Sequence, residues 1–452
     1  MNPILALIID IASTPAILVA LIGVLGLVLQ KATASDIIVG GIKTFVGFLV
    51  LSAGANVVSG SLSPFCEMFQ IAFNTTGVVP NHEAIIATAL QDYGSVSALV
   101  MLSGMVFNIL IARLTKYKYI FLTGHHTLYM AAMIAIILTV AGFDTLPLII
   151  VGGLALGIIM TISPAIIQKY VVQTTGQEGI ALGHFSAAGY WLSGFIGGLV
   201  GDKSKSTEDI NFPQSLSFFR DTTVSITLTM GLTYLIVALF AGPEYITENL
   251  SGGTNYIIYA LTLAGTFAAG VTIILQGVRM VLNEIVPAFK GISEKLVPNS
   301  KPALDVPIIF PYAPNAVIIG FLSSFVGGIV SMLIMVAFGG VVILPGVVPH
   351  FFTGAAAGVI GNTTGGLKGS TIGSFFNGML ISFLPLFLMP LMGDLGFAGS
   401  TFSDADFVFG GGFLGYLGVW GGPILVTAGV ALVLAIMLGL TYASKNKSVE
   451  AK

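Results

Sequence analysis

The chain has 452 residues, of which 55% are hydrophobic and only 8% charged, and its mean hydropathy is +0.99. Soluble domains carry about 25% charged residues, so this composition excludes a soluble enzyme and marks a polytopic membrane protein. The net charge is -3 and no basic patch argues for nucleic acid as a partner, while the single cysteine, Cys66, excludes an internal disulfide and a cysteine metal cluster.

Taken in order, residues 1–13 form a short amphipathic stretch without the basic n-region of a cleavable signal, expected to lie along the interface. Spans of about 20 residues are then expected over 15–30, 37–58, 96–114, 120–141 and 146–167. Ser61 to Phe73 reads as an interfacial helix and Ala84 to Leu90 as a short apolar run. Gly179 to Val200, GIALGHFSAAGYWLSGFIGGLV, is apolar but rich in glycine and polar residues, and reads as a re-entrant hairpin. Gly201 to Asp221 is polar and separates two halves. The second half gives spans over 222–241, 256–281, 316–338, 341–360 and 372–391, with an interfacial segment near 285–296. A second glycine-rich candidate hairpin follows over 402–422, and a last span over 424–442. The expected fold is therefore an all-α integral membrane protein with about eleven transmembrane helices.

Basic residues test this topology. Lys31, Lys43, Arg113, Lys116, Lys118, Lys169, Lys203, Lys205, Arg220, Arg279, Lys290, Lys295, Lys301, Lys368, Lys445, Lys447 and Lys452 all fall on one predicted side. Asp144, Glu244, Glu248 and Asp394 fall on the other. The positive-inside rule puts the N-terminus outside and the C-terminus in the cytoplasm.

The halves also match weakly. Gly54 and Pro64 correspond to Gly277 and Pro287, Pro80 and Glu83 to Pro302 and Asp305, and Gly124 to Gly346. With an odd number of spans per copy, the second copy is inverted. Residues 1–221 then form a first repeat with its hairpin near 179–200, and 222–422 a second repeat with its hairpin near 402–422. Residues 423–452 supply the last transmembrane helix and a cytoplasmic tail. Inverted repeats place substrate sites at their interface, among broken helices.

The stretch Pro302 to Val317, PALDVPIIFPYAPNAV, is such a break, holding Asp305 among four prolines. Proline frees backbone groups, broken backbone at membrane depth lines protein or a watery cavity, and a carboxylate there is a functional-site candidate. His82, Glu83, His125, His126, Tyr129, His184 and Phe185 complete the candidate substrate site. Neutral imidazoles both donate and accept hydrogen bonds, and a carboxylate suits paired hydroxyls. Metal binding is the rival reading for the histidines, but no H-x-x-x-H pair stands on one helix face. His126 and His350 also fit hydrogen-bonded packing residues. No P-loop and no nucleophile elbow occurs, so neither a catalytic site nor a cofactor is expected.

The LTGHH segment, the LGH of the first hairpin, and LQGVRMVLNEIVPAFKGISEKLVP with ALDVPIIFPYAPNAVIIGF resemble the ascorbate-specific enzyme IIC of the bacterial phosphotransferase system, over nearly the whole chain. The resemblance implies a homodimeric permease of the bacterial cytoplasmic membrane, surrounded by lipid. It implies a V-shaped dimerisation domain and a mobile core that moves as an elevator. It also implies IIA and IIB partners, with IIB phosphorylating the substrate. The family's ascorbate contacts correspond to His125, His184 and Asp305. The chain departs from the family with His82-Glu83 where Thr-Tyr is usual, and with Tyr129 and Phe185 where glutamine is usual. Ascorbate is the first expectation, a related sugar acid or polyol the second. Secondary transport coupled to H⁺ or Na⁺ through Glu83 and Asp305 is the alternative class, and a passive channel a third.

Overall fold

The computed structural model describes residues 14–210, 221–397 and 399–450. The interfacial stretch expected over 1–13 lies outside the described residues, as do residues 211–220 of the polar segment and Lys452.

The chain is predominantly helical. Its first half contains α1 (Pro15–Leu29), α2 (Ala34–Phe73), β1 (Gly77–Pro80), α3 (His82–Leu114), β2 (Tyr119–Phe121), α4 (Gly124–Val140), α5 (Thr145–Thr175), β3 (Ala181–Leu182) and α6 (Ala187–Val200). The second half contains α7 (Thr222–Ala241), α8 (Tyr256–Leu296), β4 (Lys301–Leu304), α9 (Pro314–Phe338), β5 (Val342–Ile343), α10 (Val347–Phe383), β6 (Ser400–Thr401) and α11 (Ala405–Glu450). Among the described residues, 7 helices are long and apolar enough to cross a membrane, or up to 8 if the pair bent by 101° at Gly242 is one span. Their outer faces carry exposed Leu, Ile, Val and Phe, such as Leu232, Leu333 and Ile424, the apolar surface that lipid requires.

Several elements differ from the hydropathy reading. The span over 37–58 and the interfacial helix after it are one helix, α2, which continues through Pro64. Likewise the run at 84–90 and the span at 96–114 join as α3, and α8 continues through Pro287. The boundaries expected between 341–360 and 372–391, and between 402–422 and 424–442, do coincide with breaks, each at a glycine pair inside α10 or α11. Gly365 and Gly366 adopt φ/ψ of -150°/18° and 60°/-150°. Gly421 and Gly422 adopt nearly the same, -156°/20° and 56°/-152°. The second residue of each pair needs positive φ, which glycine reaches without steric cost. The two expected hairpins are strand-plus-helix units, β3 with α6 and β6 with the first arm of α11.

Six short strands were not apparent from hydropathy. They make two parallel three-stranded sheets, ordered β5-β1-β6 and β2-β4-β3. In each sheet a strand of one half lies between two strands of the other. Matching β1 with β4, β2 with β5 and β3 with β6 also reproduces the register. Gly77 faces Val342 as Lys301 faces Tyr119, and Pro80 faces Thr401 as Leu304 faces Leu182. This pairing satisfies backbone groups that a membrane interior cannot hydrate. It sets Asp305, just after β4, against Asn81, just after β1, in place of the Glu83 match drawn from sequence. Both residues cap the segment that follows: Asn81 Oδ1 accepts from Ala84 N at 2.8 Å, and Asp305 Oδ1 from Val306 N at 2.8 Å.

Helices α2 and α8 cross on glycines. A Cβ on Gly277 would lie 2.4 Å from Leu51 N and 2.6 Å from Gly47 O, and one on Gly54 would lie 3.0 Å from Gly270 O. Gly47 and Gly54 thus meet Gly277 and Gly270, and bare backbones permit the close approach. Helices α1 and α7 pack against this pair. The remaining helices surround the strands, with α6 and α9 against α10 and α4 and α5 against α3.

Basic segments neighbour one another. Lys301 N donates to Lys118 O at 2.7 Å, and Leu367 N, beside Lys368, donates to Lys205 O at 2.7 Å. Tyr245 Oη, beside Glu244, donates to Glu67 Oε1 at 3.1 Å.

A histidine–carboxylate cavity at the strand ends

The segments leaving the C-terminal ends of all six strands line one cavity of about 600 Å³. His82 and Glu83 follow β1; Thr123, His125, His126 and Tyr129 follow β2; His184 follows β3. Asp305 follows β4, Val348 and Pro349 follow β5, and Asp404 follows β6. Helices α3, α4 and α10 begin at this wall, so their N-terminal backbone dipoles favour electron-rich groups there. The opposite wall is one face of α8, from Leu275 through Val278, Arg279, Leu282 and Asn283 to Val286 and Pro287. That spacing of three and four residues is a single helical stripe.

Asp305 is the hub. Its Oδ1 lies 2.9 Å from His184 Nδ1, and its Oδ2 lies 3.5 Å from His125 Nε2. Asp305 and His125 side chains are about one-third exposed, 31% and 33%, whereas His184 is 5% exposed. Asp305 and His125 therefore meet the cavity, and His184 sits behind them. The other ring nitrogen of His184, Nε2, lies 3.1 Å from Asp404 Oδ2, in ion-pair range but off the line of a straight hydrogen bond. His184 thus bridges two carboxylates that come from the second half of the chain.

Seven of the eight residues expected at the site line the cavity: His82, Glu83, His125, His126, Tyr129, His184 and Asp305. Their roles differ. His82 Nε2 accepts from the backbone N–H of Ser403 at 3.1 Å and from that of Asp404 at 3.4 Å, so it fixes the turn before α11. That acceptor role places any ring proton on Nδ1. His126, Tyr129 and Glu83 are buried, and His126 Nδ1, Tyr129 Oη and Glu83 Oε2 lack hydrogen-bond partners among the described residues. Phe185 does not line the cavity. Its fully buried ring stacks on Phe121, with centroids 4.4 Å apart and planes at 12°, and meets Phe407 edge-on. Phe185 thus packs on Phe121 and Phe407 while its neighbour His184 lines the cavity.

Sequence reading missed Asp404, Arg279 and Asn283. Asp404 had a legible signal: like Asp305, it is an acid at a break between apolar runs, and the run it opens is rich in glycine. Its neighbour Asp406 is structural. It accepts from Ser163 Oγ at 2.5 Å and from the N–H groups of Ala187 and Ala188 at 3.0 Å each, which caps α6. Arg279 and Asn283 carried only helical spacing, which any lipid-buried face shares. His350 is the packing residue expected, buried with Nδ1 2.9 Å from Ser324 Oγ.

Long apolar helices around a cavity edged by histidines and carboxylates, at broken, strand-tipped segments, define a polytopic membrane protein. Residues 10–406 match the model of the PTS system sugar-specific permease component, EIIC-GAT, and the chain belongs to that family. It is also similar to the ascorbate-specific PTS system EIIC component of Mycoplasma pneumoniae, at 27% identity over 412 residues. The match covers 79% of this chain and 62% of that protein, so the chain spans less than two-thirds of the relative's length.

Proposed function

We propose that the chain is the permease (IIC) subunit of a phosphotransferase system and imports L-ascorbate or a related sugar acid. The observation that carries this reading is the Asp305–His125–His184 group at a cavity ringed by helix N-termini. Asp305 accepts from solute hydroxyls, the imidazoles donate or accept, and the helix N-termini with Arg279 attract solute oxygens that carry negative charge. A small, oxidised polyhydroxyl compound matches that mixture. The relative's name points to ascorbate.

In this reading the two halves are inverted repeats of about five spans each, in an eleven-helix plan. The reciprocal strand registers and the Gly47–Gly277 and Gly54–Gly270 contacts support the repeat. Helices α1, α2, α7 and α8 form the V-shaped unit through which two copies dimerise. The strand-bearing remainder carries the solute as an elevator past α8. The protein sits in a bacterial cytoplasmic membrane with its C-terminus inside, an orientation supported by the neighbouring basic segments. A separate IIB protein, charged by IIA, phosphorylates the solute at the cytoplasmic face.

Uptake by membrane vesicles tests the reading. Phosphoenolpyruvate and the soluble phosphotransferase components are expected to be required, with a phosphorylated product inside. One observation favours the second reading, ion-coupled secondary transport: Glu83 Oε2 is buried at the cavity without a hydrogen-bond partner among the described residues. Accumulation of unmodified solute driven by a Na⁺ or H⁺ gradient would establish that reading instead.

A further inference from the structure

We propose that His126, His184 and Asp404 form a binding site for a divalent transition-metal ion in the cavity wall. One ring nitrogen from each histidine and one carboxylate oxygen of Asp404 lie within 4.8 Å of one another, and all three residues are buried. Two imidazoles and a carboxylate are a borderline ligand set of the kind that suits Zn²⁺, Co²⁺ or Ni²⁺.

The second, independent observation is a set of buried atoms that the protein leaves unsatisfied. Among the described residues, His126 Nδ1, His184 Nε2 and Asp404 Oδ1 each lack a hydrogen-bond partner, with Asp404 Oδ2 in ion-pair range of His184 Nε2 at 3.1 Å. An unpaired buried polar group is costly, and one such atom on each of three neighbouring residues calls for a common explanation. A proton satisfies one pair of atoms at a time, whereas a dication satisfies all three residues together. Charge argues the same way. Among the described residues the ion pairs of Asp305 and Asp404 are all to imidazoles, so with neutral rings neither carboxylate is in direct contact with a cation.

The surroundings are also those of a metal ligand. His184 Nε2 lies 3.1 Å from Asp404 Oδ2, its ring centroid lies 3.9 Å from that of His126, and its opposite nitrogen, Nδ1, contacts Asp305 Oδ1 at 2.9 Å. A carboxylate behind a ligating histidine fixes its tautomer and raises its basicity. Three protein ligands leave a fourth tetrahedral position for water or a solute oxygen. Spacing along the sequence does not show the site, because the ligands come from three separate segments.

Purified, chelator-stripped protein titrated with Co²⁺ in detergent, without any sugar, tests the proposal. About one Co²⁺ per chain is expected, with visible ligand-field bands that Zn²⁺ abolishes by competition. X-ray absorption of the Zn²⁺ form is expected to show scattering from two imidazoles. His126→Ala and Asp404→Asn are expected to weaken Co²⁺ binding by more than tenfold, and Asp305→Asn, behind the ligand, by about 10- to 100-fold. Asp202→Asn, on an exposed loop, is expected to bind as the parent does. Wild-type protein that binds no Co²⁺ at micromolar concentrations, or Zn²⁺ spectra without imidazole scattering, overturns the proposal whether or not the variants fold. Folded His126→Ala with unchanged affinity overturns it as well. Metal binding is read without transport, so its failure leaves the permease reading standing, and loss of transport leaves the metal result standing.

Discussion

His184 Nδ1 lies 2.9 Å from Asp305 Oδ1, and this contact joins the tip of β3 to the tip of β4 across 121 residues of chain. Both strands pair with each other, Leu182 against Leu304, so the sheet register delivers the two side chains to the same place. The site is thus shared by the two halves of the molecule.

Asp305→Asn is expected to weaken solute binding by about 10- to 100-fold. Hydrogen bonds to a charged group are worth roughly 1.5–3 kcal/mol, and 1.4 kcal/mol is a factor of about ten. The amide oxygen can still cap Val306 N, so the variant should insert and fold. Calorimetric titration with ascorbate decides the matter, and normal binding by folded protein would reduce Asp305 to a structural cap.

Phe185→Gln is expected to lower stability without changing which solute is preferred. The position is fully buried and the ring stacks on Phe121. An amide placed there loses the stacking and buries polar atoms, at a cost of about 1–3 kcal/mol. Thermal unfolding in detergent should shift down while the ratio of ascorbate to pentitol or hexuronate binding stays fixed. A changed ratio would show that the side chain reaches the solute.

Gly277→Ala is expected to separate α2 from α8 and reduce the yield of folded protein. The added carbon meets Leu51 N and Gly47 O, which are backbone atoms and cannot rotate away. Overpacking of this kind costs about 1–3 kcal/mol or more. Gly60→Ala on α2 is the control, because a Cβ there has nothing within 4 Å. Equal stability of the two variants by size-exclusion and thermal melts would remove the glycine crossing as a structural element.

Lys205→Cys is expected to react with impermeant maleimide only in inverted vesicles, and Glu244→Cys only in intact cells. Lys205 O bonds Leu367 N, which places Lys205 beside Lys368, and Glu244 adjoins the Tyr245–Glu67 contact. Labelling of Lys205→Cys from outside would invert the proposed orientation.

The sequence by itself determined that the chain is membrane-embedded, where most apolar runs lie, and which histidines and which aspartate to look for at the cavity. Each of those signals is local. Length and apolarity set a span, and a carboxylate among prolines or a histidine beside glycine is conspicuous inside an apolar run. Only the tertiary structure decided that α2 and α3 run unbroken through polar or proline-bearing stretches, because helix continuation depends on what packs alongside. It also decided the strands, since two to four residues pair only when another part of the chain supplies the partner backbone. Phe185 faces away from the cavity and Asp404 faces the histidines for the same reason. Side-chain direction at a turn is fixed by strand register, and register is a relation between segments up to 321 residues apart, as in the bond from Ser403 N to His82 Nε2.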